Sequence, residues 1–196
     1  MTVVYNRIAL IGLGLIASSM FWSIRRGNLA QEVVGFAKSE KTRDTAKSIG
    51  LCDHVFNNLK DTVNDADLVV LCTPVGVMGE VVEQIAPYLK KGATLSDVGS
   101  VKRAVLDAVE PLIPQDVYFV PAHPLAGTEH SGPESGFSSL FENRWCILVP
   151  TTSSTPNAVE KLTRLWTGMG ALVDQMDADH HDLVLAVTSH APHLIA

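Results

Sequence analysis

Cysteine is sparse and poorly placed for disulfide or metal chemistry. Cys52, Cys72 and Cys146 are scattered, none belongs to a CxxC pair, and an odd number fits badly with a disulfide framework. A reducing, cytoplasmic setting is therefore expected. Basic charge is also short, with 15 Lys and Arg against 21 Asp and Glu, a net charge of −6 and a pI near 5.6. With neither a basic run nor a basic amphipathic helix, nucleic acid and anionic membrane surfaces are not expected partners. Any anion must be bound by local positive charge. No apolar stretch is long enough to span a bilayer. The apolar run entered at Ile8 is broken by glycines and lacks a small-residue cleavage site, so no signal peptide is expected.

What remains is a globular pattern. With 196 residues, 46% of them hydrophobic, the chain can bury one sizeable core and begin a second domain. Short β-rich runs at 7–11, 32–36, 68–71, 93–96, 117–120, 146–149 and 171–174 alternate with helical patterns at 15–27, 40–48, 77–89, 101–112 and 157–167. Such alternation predicts βαβ units and a mostly parallel, doubly wound α/β sheet. Thr155-Pro156 supplies a cap and a first-turn proline for the last of these helices. Residues 128–143, rich in Gly, Ser and Glu, read as a loop or lid. Residues 177–196 read as the opening of a long apolar helix carrying His180, His181, His190 and His193, and the pattern predicts a continuation into a second, helical domain.

After the first strand comes Gly12-Leu13-Gly14-Leu15-Ile16-Ala17, a GxGxxA opening a helix. In that context it predicts a dinucleotide-binding, Rossmann-type turn: the glycines let backbone approach a pyrophosphate, and the helix N-terminus attracts the anion. The second strand ends in Gly35-Phe36-Ala37-Lys38-Ser39, with no acid to hold the ribose hydroxyls. Repulsion against a 2′-phosphate is thereby removed, and Lys38, Ser39, Lys41 and Arg43 offer charge and hydrogen bonds to one. NADP is expected to be at least tolerated beside NAD. The alternative is that these are solvated cations. Cys72-Thr73-Pro74-Val75 and Asp97-Val98-Gly99-Ser100-Val101-Lys102 end two further strands at the carboxyl edge of the sheet, where ligands lie in this architecture. Ser100 is placed to cap a helix, to face the crevice, or both.

The most informative stretch is Pro121-Ala122-His123-Pro124-Leu125-Ala126-Gly127-Thr128-Glu129. A histidine delivered by a strand, boxed by prolines and followed by polar partners, is how a catalytic base is held. A turn histidine on a proline corner is the plainer alternative.

Taken in order, GLGLIAS at 12–18, DVGSVK at 97–102, HPLAGTEHSG at 123–132 and HHDLVLAVTSHAPHLIA at 180–196 closely resemble the prephenate and arogenate (cyclohexadienyl) dehydrogenases of tyrosine biosynthesis. The resemblance implies a nucleotide-binding domain over 1–176 and, at 177–196, the start of a helical dimerisation domain, with a homodimer for the complete protein. It implies NAD(P)-dependent oxidative decarboxylation of a cyclohexadienyl acid, with His123 as base and Ser100 hydrogen-bonding both that histidine and the ring hydroxyl. Thr128, Glu129, His190 and His193 match positions lining the substrate pocket; Gly12, Leu13, Gly14, Leu15, Ile16, Ala37, Lys38, Ser39, Cys72, Thr73, Pro74, Val75 and Gly99 fall to the cofactor. An arginine by which the family reads the substrate carboxylate lies in a helical domain that this sequence does not include. His190 and His193 could alternatively be a metal pair, but no acid or cysteine stands at ligand spacing, so no metal is expected. His180 and His181 are expected to be solvated, without a role.

Two other readings share some of these features. A β-hydroxyacid dehydrogenase has the same opening and a glycine-serine turn but uses a lysine on a later helix. A nucleotide-sensing module would bind NADP without chemistry.

Overall fold

The computed structural model describes residues 2–187. The first strand, β1 (Tyr5–Ile11), has Ile8, Ala9, Leu10 and Ile11 wholly buried, as a strand covered on both faces must. It is flanked by β2 (Ala30–Phe36) and β4 (Leu68–Leu71), and the sheet is completed by β3 (His54–Phe56), β5 (Thr94–Asp97) and β6 (Tyr118–Phe119). All pair in parallel, in the order β3-β2-β1-β4-β5-β6. Strand order reverses between β1 and β4, so the chains leaving them diverge and open a crevice beyond their carboxyl ends. The register Ile11↔Leu71↔Asp97 brings Gly12, Cys72 and Val98 to the rim of that crevice.

Side-chain alternation along the strands divides the interior into two cores. Ile8, Leu10, Leu68 and Val70 face α1 (Leu15–Gly27) and α6 (Pro156–Gly168), where Phe141 and Trp166 meet edge to face at 5.2 Å. Ala9, Ile11, Val69 and Leu71 face the opposite layer, with α4 (Met78–Ile85) and α5 (Lys102–Val109). The remaining helices are α2 (Glu40–Ser48), α3 (Leu59–Val63) and α7 (Ala178–Leu185).

The fold is the α/β, Rossmann-type sheet expected, with four departures. The β3–α3 unit was not anticipated, because a three-residue strand and a five-residue helix are too short to carry a period; Asn58 caps α3 by accepting from the Asp61 N–H at 2.8 Å. The runs at 146–149 and 171–174 belong to a second sheet, in which β7 (Ala122–Pro124) pairs antiparallel with β8 (Trp145–Leu148) and β8 pairs parallel with β9 (Leu172–Gln175). The helices expected at 77–89 and 101–112 break into α4 and α5 flanked by 3-10 turns, as Pro87 and Pro111 each enter a turn. Finally, the loop expected over 128–143 is a loop, but its residues 133–138 are fastened to α1, which the sequence did not show. Ser18 Oγ donates to Pro133 O at 2.8 Å, Ser23 Oγ to Ser138 O at 2.8 Å, and the Phe137 N–H to Ser19 Oγ at 3.2 Å. Among the described residues no helix is long and apolar enough to cross a membrane.

Candidate active site

The crevice holds a cavity of about 590 Å³. At its floor Gly12 has φ of 97°, and a Cβ there would stand 2.7 Å from Cys72 O, so turn and neighbouring strand approach closer than any side chain permits. A Cβ on Gly14 would meet nothing within 4 Å. Gly14 is the N-cap of α1, no side chain caps that end, and the first turn carries no acid. The helix therefore presents its N–H groups and positive dipole end to open space, an arrangement suited to a pyrophosphate. On the facing wall, Thr73 Oγ1 is buried without a hydrogen-bond partner. A dinucleotide fits these residues: the cradle, the uncapped helix and the orphaned hydroxyl each await an anion or a polar ligand.

Of the expected cofactor residues, Gly12, Leu13, Gly14, Ala37, Lys38, Ser39, Cys72, Thr73 and Pro74 line the cavity, whereas Leu15, Ile16, Val75 and Gly99 stand outside its walls. Gly99 donates its N–H to Asp97 Oδ2 at 2.7 Å, with Val75 packed against it. Past β2, Ser39 caps α2 through the Thr42 N–H, and Arg43 donates to the carbonyls of Ala37 and Lys38 at 2.8 and 2.9 Å. Glu80 reaches the cavity from α4, and Gly132 from the loop after β7; neither was anticipated from sequence.

Asp97, the last residue of β5, ties this rim to the second sheet. Its Oδ2 accepts from Lys102 Nζ at 2.5 Å, both side chains being wholly buried, and Lys102 also donates to Ala122 O at 2.7 Å. Asp97 Oδ1 accepts from the Ala122 N–H at 3.3 Å. The residue so anchored is the neighbour of His123, which pairs with Ile147 of β8 and is 8% exposed.

His123 Nδ1 lies 2.9 Å from Nε2 of His181, and His181 Nδ1 lies 2.7 Å from Asp182 Oδ1. His181 is 0% exposed. The expectation that His180 and His181 are both solvated holds only for His180, which is exposed. His181 shares the inward face of α7 with Ala178 and Leu185, spaced three and four residues away, and that spacing was the available signal. The expected cap of α5 is corrected as well: Ser100 is exposed and precedes the cap residue Val101, while Asp182 accepts from the Lys102 and Arg103 N–H groups at 2.7 and 2.9 Å.

Burial depresses the His181 pKa against the opposing pull of Asp182, so the ring is neutral near pH 7. Burial alone would raise that of Asp182, but the two backbone N–H groups and His181 hold it below the ordinary carboxylate value. Burial pushes the Cys52 thiol up to about 12. It also raises Cys72, with Asp97 adding to the effect, and carries Cys146 well above the usual value. None of the three is a thiolate nucleophile at neutral pH. Thr128 and Glu129 are exposed on the loop leading to Gly132, and His190 and His193 lie outside the described residues. The described residues contain no cluster of three or more metal-binding side chains.

Strand order, glycine turn and open helix end define a dinucleotide-binding domain; the buried His123–His181 pair is tethered through Ala122 to the carboxyl end of β5 and is not among the residues that line the cavity. The chain belongs to the family described as prephenate dehydrogenase, nucleotide-binding domain, whose model matches residues 22–175. It is 42% identical over 193 residues to the cyclohexadienyl dehydrogenase of Zymomonas mobilis, covering 98% of this chain and 66% of that one. To the prephenate dehydrogenase of Bacillus subtilis it is 32% identical over 192 residues, covering 97% and 52%. The crystal structure of Aquifex aeolicus prephenate dehydrogenase with hydroxyphenyl propionate and NAD+ superposes with a TM-score of 0.89 at 29% identity, over 97% of this chain and 66% of that one. The chain thus spans about half to two thirds of the length of these relatives.

Proposed function

We propose that the protein, in its full natural length, oxidatively decarboxylates prephenate, arogenate or both, using NAD or NADP. The observation that carries this reading is His123: a buried histidine on β7, anchored through Ala122 to Asp97 at the carboxyl end of β5, the edge of the sheet at which the nucleotide cavity opens. Family membership and the named activities of the relatives support it.

Bound NAD(P) supplies the hydride acceptor. The chain's own task is to hold the anion at Gly12–Gly14 and the start of α1, and to withdraw a proton as the ring carbinol gains carbonyl character. His123 takes that proton from the ring hydroxyl. The bond to the ring carboxylate then breaks, carbon dioxide departs, and the electron pair left behind completes the aromatic ring. Aromatisation drives the reaction, so no covalent intermediate with the protein is needed. Ser100, exposed at the entry to α5, orients the hydroxyl; Thr128, Glu129, His190 and His193 contact the substrate. Residues from 177 onward begin the helical domain that completes the substrate pocket and forms the homodimer.

NADP is accepted beside NAD. Ala37 stands where a carboxylate would repel a 2′-phosphate, and Lys38, Ser39 and Thr42 line the same end of the cavity. Lys102 is an unsuitable acid-base group for the hydroxyacid alternative, being wholly buried in its ion pair. The test is NADH and NADPH formation from prephenate and from arogenate by the full natural chain. Turnover of either acid is expected; cofactor binding without turnover of either would overturn the proposal.

A further inference from the structure

We propose that His181 and Asp182 are positioning residues that fix the tautomer of the base, so that His123 carries its proton on Nδ1 and offers substrate the lone pair of Nε2; this deepens, and rests on, the reading of His123 as the base.

Asp182 accepts from two backbone N–H groups at the start of α5, Lys102 at 2.7 Å and Arg103 at 2.9 Å, an arrangement that requires acceptor oxygens and favours the ionised form. An ionised carboxylate can only accept, so the 2.7 Å contact to His181 Nδ1 places a proton on that nitrogen. A neutral His181 protonated at Nδ1 has a bare Nε2, and the 2.9 Å contact makes it the acceptor for His123 Nδ1–H. Each link leaves one proton assignment for the next. Imidazole with its proton on Nδ1 is the less common tautomer in water, so a base that must act through Nε2 gains from being held this way.

The chain has a second consequence. When His123 accepts the substrate proton on Nε2 it becomes cationic, and its Nδ1–H then donates to a bare nitrogen that is itself polarised by a carboxylate. The imidazolium is stabilised with no further proton transfer required. A carboxylate ordering a catalytic imidazole is familiar from hydrolytic triads, where the amide substitution imposes the wrong tautomer. Here a second imidazole stands between them. The same Asp182 caps α5, whose entry carries Ser100, so base and hydroxyl-orienting turn share one anchor on α7. His181 and Asp182 touch neither cofactor nor reacting carbon in this reading and act only through His123.

The tautomer of His123 can be read without turnover, by long-range proton–nitrogen correlation spectra of the cofactor-free full-length protein labelled with 15N-histidine. The parent is expected to show His123 protonated at Nδ1. In Asp182→Asn the new amide N–H donates to His181 Nδ1, both rings reverse, and His123 becomes protonated at Nε2. kcat should then fall on the order of 10²-fold or more while the KM for NAD(P) stays unchanged. His181→Leu should likewise lose the Nδ1–H form, and His181→Gln, which restores an acceptor oxygen, should recover part of both signals. An unchanged His123 tautomer in Asp182→Asn and His181→Leu, both folded, would overturn the relay even if the parent turns over its substrate. A tautomer that reverses in a protein inactive on both acids would leave the relay standing and overturn the proposed reaction.

Discussion

Lys102 and Asp97 form an ion pair from which water is excluded: Nζ lies 2.5 Å from Oδ2, and both side chains are 0% exposed. The pair spans only one turn of chain, yet it fixes the carboxyl end of β5 and, through Ala122 O, the strand that carries His123. A buried ammonium and carboxylate are costly to desolvate, and further bonds satisfy both: Gly99 and Ala122 donate to the carboxylate, and Ala122 O accepts from the ammonium.

Removing one partner strands the other. Lys102→Met or Asp97→Leu alone should destabilise the protein by about 3–5 kcal/mol, whereas the double substitution should recover much of that loss. Denaturant unfolding of the two single variants and the double variant checks this, and simple additivity would contradict it.

The two glycines of the turn should fail differently. Gly12→Ala puts a Cβ 2.7 Å from Cys72 O at a φ of 97° and should lower Tm. Gly14→Val has open space and an ordinary φ of −100°, so the fold should survive while cofactor Kd rises at least tenfold. Thermal unfolding beside cofactor titration separates the two effects; equal losses of Tm would contradict it.

Under the proposed acceptance of both cofactors, Ala37 is the position to test for the choice between them. Ala37→Asp places a carboxylate at the cavity end of β2 and should weaken NADP binding by on the order of tenfold or more, with NAD binding retained or improved. Fluorescence titration with both reduced cofactors reads the ratio directly.

How much of this was legible in sequence depended on range. β1, β2 and β4 announce themselves as apolar runs, and His123 by its two prolines. The β3–α3 unit was too short to show a period. His181 was misread because its local surroundings, two histidines beside an aspartate, look solvated; its burial is set by a partner 58 positions away. Likewise, nothing local to residues 100–103 reveals that their helix is capped by Asp182, some 80 positions downstream.

Acid should loosen the attachment of α7 in two stages, first at its His181 contact with β7 and then at its Asp182 contact with α5. The His181 pKa is lowered in the folded state, so below about 6.5 the unfolded chain binds a proton that the native protein resists, and stability falls as pH drops from there toward the folded value. The Asp182 pKa is lowered as well, so its contribution is present above about 3.9 and is lost as pH falls through the folded value. Asp97 and Lys102 also face His181, so the comparison should be made between parent and His181→Gln across pH 4–8. A flat difference between the two unfolding curves would contradict the assignment.

The most direct test of the account is His123→Asn in the full natural chain. If His123 is the base, kcat on prephenate or arogenate should fall by about 10²–10⁴-fold while cofactor Kd does not move. Activity largely surviving the substitution would contradict the mechanism and return the crevice to other chemistry.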